Sequence, residues 1–300
     1  MGELADGSRP DGVTDPRRAG HAAPAPRLRV GLIGAGRAGT VVARALERVG
    51  HHCLAVNAVS EASRSRAATL LPSTAVVDAV EVCRRSDLVI VAVPDDAIRE
   101  VVAGLAAVGA IEPRHLVLHL SGRHGTDVLA AAADAGALTM AVHPAMTLHG
   151  RPEDVPRLVE CPFAITGDDD AVAIATALVL EMGGQPVVIA AADRVLYHAA
   201  LAHASNHLVT LVAQAMEVLS LTGVDQPGDY LRALVTATVD RVLADGDAAL
   251  TGPIARGDVA TVQAHVRALL EAPLPASTTD TYRALARATA ARHHRDLGAL

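Results

Sequence analysis

Apolar positions fall into short runs separated by stretches with helical spacing. Runs at 28–33, 53–57, 74–77, 87–93, 115–120 and 138–142 alternate with helical stretches. This alternation predicts βαβ units and a parallel sheet. Two further runs, 162–166 and 186–190, flank a helix predicted from about Asp169 to Met182. Asp168 to Asp170 would cap that helix and suit its dipole. From Asp193 onward no strand pattern is convincing. A long helix is predicted over 191–221, stopped by Gly223 and Pro227-Gly228, with further helices near 229–244, 258–271 and 278–293. Residues 1–26, rich in Gly, Pro, Asp and Arg without apolar periodicity, read as a disordered tail. The fold class expected is α/β: a Rossmann doubly wound sheet over 27–190, then an all-α domain over 191–300.

The first apolar run ends in Gly34-Ala35-Gly36-Arg37-Ala38-Gly39, a G-x-G-x-x-G between a strand and a helix. That is the context in which the pattern binds dinucleotides. The first glycine allows the tight turn. The second lets a pyrophosphate approach the backbone, and the third lets helix pack on strand. Free N–H groups at the helix start would face the phosphates.

NAD-preferring folds carry an acid near the end of the second strand, bonded to the ribose 2′-hydroxyl. Here that strand ends at Asn57, and Glu61 follows too late. Ser60, Arg64 and Arg66 lie nearby and suit a 2′-phosphate, so NADP is expected ahead of NAD. Val93-Pro94-Asp95-Asp96 closes the fourth strand, a position beside the dinucleotide at the carboxyl edge of the sheet.

Composition narrows the partners. The chain of 300 residues has one Phe, three Tyr and no Trp, and a net charge of -7. Nucleic-acid binding by stacking and phosphate neutralisation is therefore not expected. No run reaches the roughly 18 apolar residues of a membrane span. The first residues show no basic-then-apolar pattern, so no leader is expected. Cys53, Cys83 and Cys161 lack metal spacing, and a reducing cytoplasm is the expected setting. All 26 basic residues are arginine. Without lysine, no lysine acid, base or Schiff base is available, and arginine is a poor proton donor.

Chemistry must then come from other groups. On the long helix His198, Ala202, Ser205, Asn206 and Val209 fall on one stripe at about 100° per residue. Tyr197 flanks this polar stripe, which reads either as a substrate site or as a hydrogen-bonded helix-pairing face. His203 and His207 have i, i+4 spacing, but no third ligand is evident and no metal is expected. His119 and His143 end apolar runs, where ligands bind in such folds and where either can donate a proton near neutral pH. His51, His52, His293 and His294 read as surface residues. Thr251 and Arg256 lie in a loop with Gly252, Gly257 and Asp258. Arg256 suits a two-pronged bond to a carboxylate, while Asp258 is an N-cap for the following helix.

Taken in order, GAGRAG, VAVPD, HLSG, HPAMTL, YHAALAHASNH and LTGPIARGD resemble a family of bacterial Rossmann-like proteins with a helical C-terminal domain. Its fold is similar to those of 6-phosphogluconate dehydrogenase, ketopantoate reductase and pyrroline-5-carboxylate reductase, and the likeness spans nearly all of 28–290. The resemblance implies that Ser121-Gly122 lies near nicotinamide and substrate, and that Asn206 matches an asparagine of the interdomain helix. The lysine that usually precedes this asparagine by four residues falls on Ala202. The loop of Thr251 and Arg256 resembles a turn at the substrate site and dimer contact of pyrroline-5-carboxylate reductase.

The expected activity is that of an NADP-dependent oxidoreductase acting on a small carboxylate-bearing carbonyl compound, a 2-oxo acid of the ketopantoate kind. Asn206 and Ser205 would hold the reacting oxygen, His198 would supply the proton with His119 or His143 as rivals, and Arg256 would orient the carboxylate. Two alternatives stand beside it: an imine reductase of the pyrroline-5-carboxylate type, which the missing lysine suits, and a non-catalytic dinucleotide-binding regulator. A homodimer is expected.

Overall fold

The computed structural model describes residues 27–293; the tail read at 1–26 and His294 lie outside them. The chain divides into two compact units between Ala191 and Ala192.

In the first unit the order is β1 (Arg29–Ile33), α1 (Arg37–Arg48), β2 (His52–Asn57), α2 (Glu61–Leu70), β3 (Ala75–Val76), α3 (Ala79–Arg85), β4 (Leu88–Val91), α4 (Ile98–Ala107), β5 (Leu116–His119), α5 (Ala130–Asp134), β6 (Leu138–Pro144), β7 (Pro162–Thr166), α6 (Asp169–Glu181) and β8 (Gln185–Val188). The eight strands form one sheet in the order β3-β2-β1-β4-β5-β6-β7-β8. Strands β1 to β6 are parallel, with crossovers through helices, as the alternation of the sequence predicts.

The purely parallel expectation fails at β7. It pairs antiparallel to β6, His143 opposite Ala164, and β8 then runs parallel to β7. Between β6 and β7 the chain makes only two short 3₁₀ turns, at 152–154 and 156–158. Without a crossover helix the chain folds straight back and re-enters the sheet reversed.

Side chains on the strands alternate between two faces. Val30, Leu32, Leu88, Ile90 and Leu118 pack with α1, α2 and α6 on one face. Val89, Val91 and Val117 pack with Val82, Val102 and Leu129 on the other. The strands are buried on both sides, which explains their nearly unbroken apolar runs. His51, expected at the surface, is buried instead. Its Nδ1 accepts from the Leu28 N–H at 3.1 Å, and its Nε2 lies 2.7 Å from the Glu181 carboxylate. The imidazole thus ties the start of β1 to the end of α6.

The second unit is helical: α7 (Arg194–Ser220), α8 (Pro227–Asp245), α9 (Pro253–Arg256), α10 (Val259–Glu271) and α11 (Ala276–Arg292). Pro227 opens α8 at its first turn, where its missing N–H costs nothing. Asp258 caps α10 by accepting from the Thr261 N–H at 3.1 Å, as its position predicts. A small core of Val262, Ala286 and Ala290 joins α10 and α11. Arg194 is the one buried residue of α7, and α8 has none. An apolar cavity of about 530 Å³ opens between Leu211, Val218, Leu231, Ile254, Leu269 and Tyr282.

Candidate functional site

The glycine turn joins β1 to α1 at the centre of the sheet, where strand order reverses and such folds bind ligands. Gly34 has φ +87°, and a Cβ there would lie 2.8 Å from the Ala92 carbonyl oxygen. A Cβ on Gly39 would meet the Ala92 methyl at 2.5 Å, so its absence lets α1 press against the end of β4. The Gly34 N–H donates to the Asn57 carbonyl at 3.1 Å, fastening the turn to β2.

The start of α1 differs from those of α2, α3 and α6. Side chains of Ser60, Asp78 and Asp168 cap α2, α3 and α6. Gly36 offers no such cap, and no acid lies in the first turn of α1. The first N–H groups of a helix have no partner within it. Those of α1 are presented beside a backbone cleared of side chains. This donor set fits the pyrophosphate of a dinucleotide.

At the end of β2 the candidate groups divide. The Asn57 amide donates to the Val77 carbonyl at 3.1 Å. The Ser60 hydroxyl accepts from the Ser63 N–H at 3.1 Å. The Arg64 guanidinium turns back onto the Val59 carbonyl. Arg66 instead reaches the glycine turn, its Nε donating to the Ala35 carbonyl at 3.0 Å. Arg37 stands exposed at the first position of α1.

At the carboxyl ends of β4 and β5 the turn of Val93 and Pro94 meets the turn of Ser121. The Ser121 hydroxyl donates to Asp95 Oδ2 at 2.8 Å, and Arg123 Nε donates to the same oxygen at 3.2 Å. A second Arg123 nitrogen donates to Asp96. Sequence reading placed the turn of Asp95 and Asp96 beside the dinucleotide by its position after the fourth strand. The contact of Asp95 with Ser121, 26 residues away in the chain, needed the β4–β5 pairing to be seen. His119 is fully buried: Nε2 lies 2.8 Å from the Gly125 carbonyl, and Nδ1 accepts from the Ser121 N–H at 3.1 Å. Both ring nitrogens therefore hold the turn that carries Ser121. His143 is half-buried on β6.

Between β6 and β7 the turn 149–154 is gathered around Asp154, a carboxylate only 2% exposed. It accepts from the backbone N–H groups of His149 at 2.8 Å and Arg151 at 3.1 Å. Burial alone would raise this carboxyl, but the bonds from Arg151, His149 and Gly150 outweigh it and hold it below the usual range. Gly150, at φ +75°, is pressed onto Arg66 and Arg37; an added Cβ would lie 2.8 Å from Arg66 Cδ and 3.1 Å from Arg37 Cα. No sequence motif marked this turn.

On α7, His198, Ala202 and Ser205 are half-buried, and Asn206 and Val209 exposed. Ser205 Oγ donates to Asn206 Oδ1 at 3.1 Å. Tyr197 lies with its ring centroid 5.9 Å from the guanidinium carbon of Arg194, whose burial pushes its pKa down to about 10, still cationic at neutral pH. His203 and His207 face each other at 2.8 Å between Nδ1 atoms. Thr251 and Arg256 are both exposed. Among the described residues no group of three or more His, Cys, Asp or Glu could hold a metal ion. The three cysteines are free and buried. Burial pushes the Cys53 thiol up to about 12 and Cys83 up to about 11, away from thiolate chemistry.

Residues 13–144 match a Rossmann-like domain, and residues 161–289 match a domain of unknown function, DUF2520. The second match begins at β7, within the first unit, and runs into α11 of the second. No curated protein matches the chain in sequence. Among solved structures, a presumed NADP oxidoreductase from Bacteroides fragilis, BF3122, superposes with a TM-score of 0.74 at 23% identity, covering 90% of this chain and 99% of that one. The imine reductase from Myxococcus stipitatus in complex with NADP+ gives 0.64 at 17% identity, covering 89% and 95%. The Plasmodium falciparum pyrroline carboxylate reductase with NADP bound gives 0.58 at 12% identity, covering 89% and 98%. These likenesses establish a shared fold.

Proposed function

We propose that this Rossmann-like and DUF2520 protein is an NADP-dependent oxidoreductase that transfers hydride between nicotinamide C4 and a small carbonyl substrate bearing a carboxylate. One observation carries the reading: an uncapped α1 start beside a glycine turn whose Cβ-free backbone is packed against Ala92. Similar structures described as NADP oxidoreductases and NADP-bound reductases support it.

When bound, the nicotinamide supplies the hydride, and the protein's part is to orient and polarise. In this reading Gly34 to Gly39 hold the pyrophosphate. Ser121, braced by Asp95 and by His119 through its backbone, lies with Val93 and Pro94 near the nicotinamide. Asn206 and Ser205 hold the reacting oxygen, His198 supplies the proton, with His143 as the other donor, and Tyr197, Thr251 and Arg256 bind the rest of the substrate. His119 is left out as a donor, since both its nitrogens are committed to Gly125 and Ser121.

A second reading, an imine reductase, is favoured by Ala202 and by the absence of lysine from the whole chain. A protonated imine brings its own proton and needs no lysine acid. Stopped-flow oxidation of NADPH with ketopantoate, other 2-oxo acids and pyrroline-5-carboxylate separates the two. His198→Ala and Asn206→Ala are expected to slow turnover by roughly 10²- to 10⁴-fold, the usual worth of a positioned proton donor. Wild-type turnover in both variants would remove these residues from the site. Tight NADPH binding without transfer to any substrate would favour a dinucleotide-binding regulator.

A further inference from the structure

The turn 149–154 has no part in the glycine motif, yet it closes over it. It belongs to the connection between β6 and β7, which in the sheet lie three and four places from β1. Three contacts meet beside the glycine turn. Arg66, from α2, bonds the Ala35 carbonyl. Arg37 stands at the head of α1. A Cβ on Gly150, whose φ is a left-handed +75°, would lie 2.8 Å from Arg66 Cδ and 3.1 Å from Arg37 Cα, so a larger residue there must displace Arg66. Asp154 clamps this turn through the backbone N–H groups of His149 and Arg151.

The charges here are unbalanced. Among the described residues neither Arg37 nor Arg66 has a carboxylate partner, in contrast to Arg29, Arg44, Arg85, Arg99 and Arg123. Of the acids in this region, Asp154 is engaged by the N–H groups of His149 and Arg151 and lies 3.9 Å from Arg157, and Glu61 is exposed at the start of α2. Arg64 is spent on the Val59 carbonyl of its own loop. Two guanidiniums without a carboxylate partner, one bonded to the glycine turn and one borne by a residue of it, suit a phosphate dianion, which arginine binds with paired N–H donors.

We propose that the turn 149–154 is a cofactor-selectivity element: through Gly150 it holds Arg66 and Arg37 as the pair that takes the 2′-phosphate of NADP, with Arg64 outside the seat. Arg66 and Arg37 are binding residues, and Gly150 is a positioning residue. This rests on the glycine turn being an NADP site.

The test is equilibrium binding, by calorimetry, of NADPH, NADH, adenosine 2′,5′-bisphosphate and ADP to the full chain and its variants. The wild type is expected to bind NADPH at least tenfold more tightly than NADH. Arg66→Met and Arg37→Met are each expected to weaken NADPH and the 2′,5′-bisphosphate by roughly 10- to 100-fold more than NADH and ADP, the worth of a charge-assisted hydrogen bond. Gly150→Val, which displaces Arg66, is expected to lower the NADPH-to-NADH preference with NADH affinity kept. Arg64→Met should leave the preference intact. So should Arg48→Met, about 16 Å along α1 at 1.5 Å per residue, which controls for general charge.

Loss of preference in Arg64→Met with retention in Arg66→Met overturns the assignment. Equal loss of NADPH and NADH in Arg66→Met does so too, since it makes Arg66 a clasp of the turn. A wild type that binds dinucleotide without preferring NADPH overturns the selectivity element alone. A wild type that binds no dinucleotide overturns the underlying reading with it.

Discussion

Single residues in this protein owe their roles to the backbone groups they hold. Asp154 shows this with a measurable consequence. Its carboxylate accepts from the N–H groups of His149 and Arg151, which would be orphaned without it. Asp154→Ala is therefore expected to cost about 1–3 kcal/mol, the penalty of leaving buried donors unsatisfied. The carboxyl is held below its ordinary value, so its contribution is present above about pH 3.9, the unfolded value. It is lost as pH falls through the folded value. Urea midpoints of wild type and variant should differ at pH 7 and converge in acid; a gap independent of pH would assign Asp154 a packing role only.

At the same scale, the sequence named Asn57, Ser60, Arg64 and Arg66 for the ribose end by position at and after the end of β2. The side chains of Ser60, Arg64 and Asn57 cap α2, bond Val59 and bond Val77, and that of Arg66 bonds Ala35. Which arginine is available depends on local hydrogen bonding that spacing does not encode. The role of His119 was likewise hidden, because both its partners sit in the turn after β5.

Elements were more legible than residues. Strand and helix alternation reads directly from apolar runs, since strands covered on both faces must be continuously apolar. Caps at Asp168 and Asp258 were also readable, because they depend on three neighbouring positions. The direction of β7 was not, since an apolar run carries no sign of its direction. The third glycine of the turn offers a test at this scale. A Cβ on Gly39 would sit 2.5 Å from Ala92 Cβ and 2.9 Å from Leu32 Cδ1. Gly39→Ala is expected to cost about 1–3 kcal/mol by overpacking and to weaken NADPH binding as α1 is pushed off the sheet. Unfolding and dinucleotide titration of the one variant check both; unchanged values would mean that α1 is not seated by this contact.

The whole molecule poses a different question in each unit. The Rossmann unit has two closed cores. The helical unit leaves apolar side chains uncovered: Val195, Leu196 and Val209 on α7, and Leu234 and Leu243 on α8, are each more than 60% exposed. Faces of this kind mark protein contacts. We propose that a second copy of the chain covers them, giving the expected homodimer. Sedimentation equilibrium at micromolar concentration should give twice the chain mass, and Val209→Glu with Leu243→Glu should give a monomer; a wild-type monomer would refute it. Among the described residues no helix is long and apolar enough to cross a membrane, so α7 and α8 are not explained as spans.

The sequence by itself determined the order of elements, the position of the glycine turn and the absence of a lysine acid. Each depends on residues adjacent in the chain or on composition, and local sterics and hydrophobic periodicity act at that range. Tertiary structure alone decided that β7 runs backwards, that Asp95 meets Ser121, and that Gly150 and Arg66 close on the glycine turn. Those facts depend on which segments become neighbours after the sheet assembles. That choice is made by burial of whole faces together, and no short stretch of sequence contains it.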